Sequence, residues 1–216
     1  NYYTQDAIVK WAGYDRLSLR NNAQFTPINF LTLGANMSAT YSKYKGASSD
    51  QSASRQAPLI PVKDEMGNWA GTKANGLGDS QNPIANLYNQ KDNYNEHLHF
   101  LGNLFLEIDL NESLQFKTTA GANIVNGGSK SFSPVTFWNK GDKNQLVNAL
   151  GVSSGKSREL IWNNTLTFSK KFYDNHNINA LIGTEALAYR GEYLSASRNS
   201  FIVEDVDYRY LDAGEL

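Results

Sequence analysis

The stretch NESLQFKTTAGANIV, residues 111–125, sets apolar or small side chains on every second position with polar ones between them. Just upstream, HFLGNLFLEIDL, residues 99–110, does the same. Alternation of this kind predicts β-strands with one oily face and one wet face. What the oily face touches decides the fold, because a soluble core and a lipid bilayer leave nearly the same pattern.

Working outward, two more strand pairs share the design. Hairpins are predicted at about 15–44, 96–125 and 158–189, turning through TPIN (26–29), NES (111–113) and YDNH (173–176). Pro27 presets a turn dihedral and cannot serve a central strand. Between the pairs lie long irregular segments, 45–95 and 126–157, both rich in Gly, Ser, Asn and Pro. Structureless loops of that length are uncommon in compact soluble domains. Tight turns at one end and large loops at the other are what outer-membrane barrels show.

The faces sharpen the reading. Odd positions in 17–25 and 31–41, and even positions in 98–110, 114–124, 160–168 and 178–188, hold no charged residue. The interleaved positions carry Arg16, Arg20, Glu107, Asp109, Lys117, Glu159 and Glu185. Predicted strands of about 11 to 15 residues also exceed the ~5–6 typical of soluble proteins and reach the ~9–11 that a tilted membrane strand needs. Asn21 and Asn164 break the oily face, while Leu101, Phe105, Leu181 and Leu187 fall on the wet one, where they predict packing against something inside a barrel. Tyr41, Phe100, Trp162 and Phe168 read as interfacial girdle aromatics.

Composition removes several classes of function. Twenty basic against 21 acidic residues, with no basic cluster, leave no electrostatic footprint for nucleic acid. No apolar run approaches the ~18 residues of a spanning helix. The absence of cysteine removes disulfides and thiolate chemistry. The opening NYYTQDAIVK has neither an initiator Met nor a signal segment and reads as part of a longer protein.

Local sequences then become recognisable in order: SQNPIANL (80–87), FLGNLFLEIDLNESLQFKTTAG (100–121), NNTLTFSKKF (163–172), HNINALIGTEA (176–186), LSASRNSF (194–201) and YRYLDAG (208–214). Together they resemble the SusC/RagA family of TonB-dependent outer-membrane transporters. The resemblance implies a large barrel of about 22 strands with a plugged lumen, a SusD-like surface lipoprotein as partner, energy from TonB, and oligosaccharide or peptide substrates. The chain corresponds to part of that barrel only, without the plug.

Other motifs carry less. GVSSGKS (151–157) has three residues between its first Gly and the Gly-Lys pair where a phosphate-binding loop needs four, so it predicts no nucleotide site. His97 and His99 share one strand face, but a third ligand is wanting and no metal is expected. Glu107 and Asp109 abut the NES turn and read as solvated turn carboxylates rather than a hydrolase pair. NMS, NES and NNT match the glycosylation pattern by chance, since they fall on strands and a tight turn. A short helix is predicted at 142–150, with Asp142 capping KNQLVNAL. Trp69 and Trp138 lie in the long loops and are the candidate ligand-binding residues, as stacking platforms for a sugar or peptide; the competing role is anchorage of their own loops.

The expected fold is thus all-β: an antiparallel up-and-down meander of about six long strands, a single segment (1–216) of a large transmembrane β-barrel with long external loops. The expected function is a share in an outer-membrane importer, with lipid around it, no cofactor, and no nucleophile, base and orienting group that would make an enzyme. The rival is a soluble all-β carbohydrate-binding module.

Overall fold

The computed structural model describes residues 1–46, 54, 57–71, 82–136, 145–173 and 176–215. Seven strands follow one another in chain order across one antiparallel sheet: β1 (Tyr2–Asp6), β2 (Gly13–Ile28), β3 (Leu31–Lys45), β4 (Tyr94–Asn111), β5 (Leu114–Ser133), β6 (Ala149–Phe172) and β7 (His176–Asn199). The sheet does not close on itself. Six long strands match the sequence expectation; the five-residue β1, paired with Gly13 to Leu17, is an addition too short to show periodicity.

The turns between β2 and β3, β4 and β5, and β6 and β7 lie at one end. Pro27 falls where the β2–β3 register shifts, between Phe25 and Ile28, which is the bulged position a strand proline tolerates. Asn111 Oδ1 accepts from the Ser113 amide at 2.9 Å, closing the second turn locally. Neighbouring turns are stitched together, Asp109 N donating to Phe30 O at 2.9 Å and Ser169 N to Ser113 O at 2.8 Å.

Strand length departs from expectation. The long strands run from 15 residues in β3 to 24 in β6 and β7. The irregular segment predicted at 126–157 is mostly ladder: β5 continues to Ser133 and β6 starts at Ala149. Its Gly and Ser residues face one another in pairs such as Gly127 with Gly155 and Ser129 with Ser153, so backbone pairing overrides a composition that suggested loop. The helix predicted at 142–150 does not form over its described part. Gln145 bridges to Thr136, and Ala149 and Leu150 open β6; Asp142 lies outside the described residues. A helix absent from the sequence reading, α1 (Pro83–Asn89), occupies the first long segment, with Asn82 accepting from the Ile84 and Ala85 amides and Pro83 in its first turn.

The registers bring the six uncharged faces onto one side. A single row runs Ala23, Ala35, Leu104, Ala120, Trp162, Ala186 across neighbouring strands. One residue along, the opposite face reads Asn22, Asn36, Asn103, Gly121, Ile161, Leu187, and Asn36 donates to Asn103 at 3.1 Å. At ~3.4 Å per residue and a tilt of about 45°, the apolar stretch 114–124 spans about 25 Å, the height of a barrel's lipid band. Charge begins at Asp15, Lys43 and Glu96 on β2 to β4, but two rows nearer the turns, at Arg158 and Arg190, on β6 and β7.

Among the described residues, nothing covers the apolar band of this sheet. Leu19, Leu104, Leu160 and Ile182 are 70%, 55%, 45% and 69% exposed. The chain exposes 15188 Å², against about 9,900 Å² for a compact monomer of its mass. The buried hydrophobic residues Ala70, Ala85, Phe132, Leu150 and Phe201 all sit at the loop end.

Candidate functional site

At the loop end, the segment after β7 folds back across β5 and β6. Asn148 holds it: its Oδ1 accepts from Phe201 N at 2.6 Å, and its Nδ2 donates to Phe201 O at 2.9 Å and Glu204 Oε1 at 2.7 Å. The amide mimics a strand partner for Phe201, which satisfies a buried backbone pair. Phe201 then meets Phe132 edge-on at 5.6 Å, with Leu150 completing a small core. Arg209 lies over the other ring of this pair, its guanidinium 4.2 Å from the Phe132 centroid, while it donates to Glu204 O at 2.9 Å and pairs with Asp92 at 3.3 Å.

A second group stands beside it. Asn82, besides capping α1, donates to Val62 O at 2.8 Å and Ala70 O at 3.0 Å, fixing the 57–71 stretch against the helix. That places the Trp69 ring 5.4 Å from Tyr88, which also meets Trp11 at 5.4 Å. Lys63 and Lys91 sit over the Trp69 and Tyr88 rings at 4.9 and 4.0 Å.

Between the two groups lies an open cleft of about 490 Å³, walled by Trp69, Tyr88, Lys91, Asp92, Glu204 and Arg209. Aromatic surface and charges of both signs converge there, a lining suited to binding an amphipathic polar chain. Of the two tryptophans singled out by sequence, Trp69 therefore serves both as loop anchor and as cleft wall; Trp138 lies outside the described residues. The other cleft residues carry no sequence signal, because Asp92 and Arg209 are 117 positions apart and meet only in the fold.

The remaining motifs are accounted for locally. Glu107 pairs with Lys117 at 2.8 Å and Asp109 accepts from Gln115 at 2.9 Å, both near the turn end. His99 shares a 2.8 Å hydrogen bond with Asn123, and no group of three metal-ligating side chains occurs among the described residues. GVSSGKS lies within β6, paired on both sides, so its amides serve the ladder rather than a phosphate. No described helix is long and apolar enough to cross a membrane.

An open meander with an uncharged band on one face, a polar opposite face and, among the described residues, its buried core at the loop end is a piece of a β-barrel wall. No family model matches the chain. In sequence it is 25% identical, over 99% of its length and 22% of the other's, to TonB-dependent receptor P3 of Formosa agariphila. It is 24% identical, over 85% of its length and 18% of the other's, to TonB-dependent receptor P26 of the same organism. In fold it matches the RagAB peptide transporter with a TM-score of 0.75 at 19% identity, covering all of this chain and 25% of that one. The RagAB peptide importer in its closed-closed state matches at 0.73 and 21%, over 95% and 23%. The chain spans about a fifth of the length of these curated relatives. In sequence the chain is thus similar to part of TonB-dependent receptors, and in fold to part of the barrel of a RagAB-type protein.

Proposed function

We propose that this chain forms part of the wall and outer mouth of an outer-membrane importer in a Gram-negative bacterium. The uncharged face meets lipid, the polar face lines the barrel interior, and the loop end looks outward. The reading is carried by one observation, the uncharged band about 25 Å tall that the registers make continuous across six strands. In this reading the cleft walled by Trp69 and Tyr88 takes part in first capture of an oligosaccharide or peptide. A SusD-like lipoprotein would close over it, and TonB would supply the energy to the whole transporter. The RagAB neighbours, described as a peptide transporter and importer, favour a peptide among the two substrate classes.

Adjacent residues on β4 test the reading. Leu104 faces the proposed lipid and Asn103 the interior, so Leu104→Arg in the full-length protein should cost about 2–4 kcal/mol near the bilayer midplane and Asn103→Arg much less. Heat-modifiable gel mobility and urea titration in lipid read both. Equal, small losses would sink the membrane assignment.

A further inference from the structure

Arg158 on β6 and Arg190 on β7 are directly opposed on the uncharged side of the sheet. Like charges so placed repel, and the arrangement needs a compensating partner. Among the described residues, no carboxylate lies in ion-pair range of Arg158, Arg190 or the neighbouring Lys156. Glu192 stands opposite Lys156, one acid against three bases. Of the other cations of this face beyond the band, Lys45 pairs with Asp15 at 3.0 Å, Lys43 lies over Tyr94 at 4.0 Å and Lys130 over Tyr210 at 5.3 Å, while Arg198, opposite Leu150, stands farther out toward the tip of β7.

Position says what the partner is. The row of the two arginines runs on through Ile124, Phe100, Ala39 and Leu19, and the next row toward the turns starts with Leu160 and Ala188. The charges thus stand at the loop-side margin of the apolar band, with the exposed indole of Trp162 two rows below. We propose that Arg158, Arg190 and Lys156 bind the phosphate monoester of a lipid in the outer leaflet, whose acyl chains lie along Leu160, Ala188 and Trp162. Two guanidinium groups on a rigid ladder, their Cα atoms about 5 Å apart, can each present a fork of donors to one dianionic phosphate. Water or a soluble anion would meet the same charges but not the apolar track beneath them.

The inference rests on the membrane reading of the preceding section and is tested separately from it. Full-length transporter in detergent is titrated with lipid A, with dephosphorylated lipid A and with inorganic phosphate, bound lipid being counted by native mass spectrometry. The double variant Arg158→Ala/Arg190→Ala, verified as folded by heat-modifiable mobility, should bind lipid A roughly tenfold to a hundredfold more weakly, the scale of lost charge-assisted hydrogen bonds. Dephosphorylated lipid A should bind the unmodified protein with the same deficit, and millimolar inorganic phosphate should not displace lipid A. Equal binding by the double variant, or indifference to the phosphate, overturns the site. Displacement by inorganic phosphate overturns the lipid as its ligand. If Leu104→Arg folds as readily as Asn103→Arg, the membrane placement itself has failed; if that contrast holds while the arginine variants bind normally, only the lipid site has.

Discussion

The ring of Phe105 occupies the space that a side chain on Gly34 would fill. The two residues are directly paired across β3 and β4 on the polar face, and three ring atoms overlap the position of a Cβ at Gly34. Lys117 Nζ stands 4.6 Å from the ring centroid while it pairs with Glu107. A large apolar residue on the wet face thus finds its partner in the sheet itself, covering glycine backbone.

Adding a side chain there should evict the ring. Gly34→Val in the full-length barrel is expected to cost about 1–3 kcal/mol, the usual penalty for overpacking, by urea titration in lipid. Gly34→Val combined with Phe105→Ala should recover part of that loss, since the clash is gone. A Gly34→Val barrel as stable as the parent would show that the ring relocates freely.

Asn148 should be the latch of the segment that follows β7. Asn148→Ala leaves Phe201 N, Phe201 O and one Glu204 carboxylate contact unmatched in a buried place, at about 1–3 kcal/mol for unsatisfied groups. Hydrogen exchange at the Phe201 amide is expected to quicken by tenfold or more while amides in the middle of β5 and β6 stay protected. Unchanged protection at Phe201 would assign the docking to the Phe132, Leu150 and Phe201 side chains alone.

Trp69 packs against Tyr88 on the cleft wall, and its indole is expected to take substrate as well. In the full-length transporter, Trp69→Ala and Trp138→Ala should each weaken peptide or oligosaccharide binding by roughly 1–3 kcal/mol if the indole stacks on substrate, with barrel assembly normal. Calorimetry on the purified transporter measures it. Unchanged affinity in both would leave Trp69 as the anchor that its contact with Tyr88 already makes it.

Sequence carried the sheet further than it carried the loops, and particular residues show why. Alternation at 98–110 and 114–124 identifies a face because each side chain's direction is a local property of the strand, and the observed pairing of Leu104 with Ala120 follows. The extension of β5 and β6 was hidden, since Gly127, Gly128, Ser153 and Gly155 have turn-forming composition and become strand only through one another. KNQLVNAL has helical spacing, yet Asn148 is drawn to Phe201 and Leu150 to Phe132, so tertiary partners override it. The cleft is beyond reach from sequence because Asp92, Glu204 and Arg209 acquire a common purpose only when the chain end returns to β5.

The length of β6 and β7 has a mechanical consequence. At ~3.3 Å per residue, the part of β6 beyond its apolar stretch, 149–158, runs on for about 33 Å as an unbroken hydrogen-bonded plate, which at a tilt of about 45° rises about 23 Å above the apolar band. A plate that stiff acts as a lever. A change of about 5° in strand inclination at the membrane would sweep its tip, and the small core docked there, sideways by about 3 Å, roughly the width of one more strand residue. In the proposed placement, a change of strand inclination inside the barrel would reach the mouth without any loop having to bend.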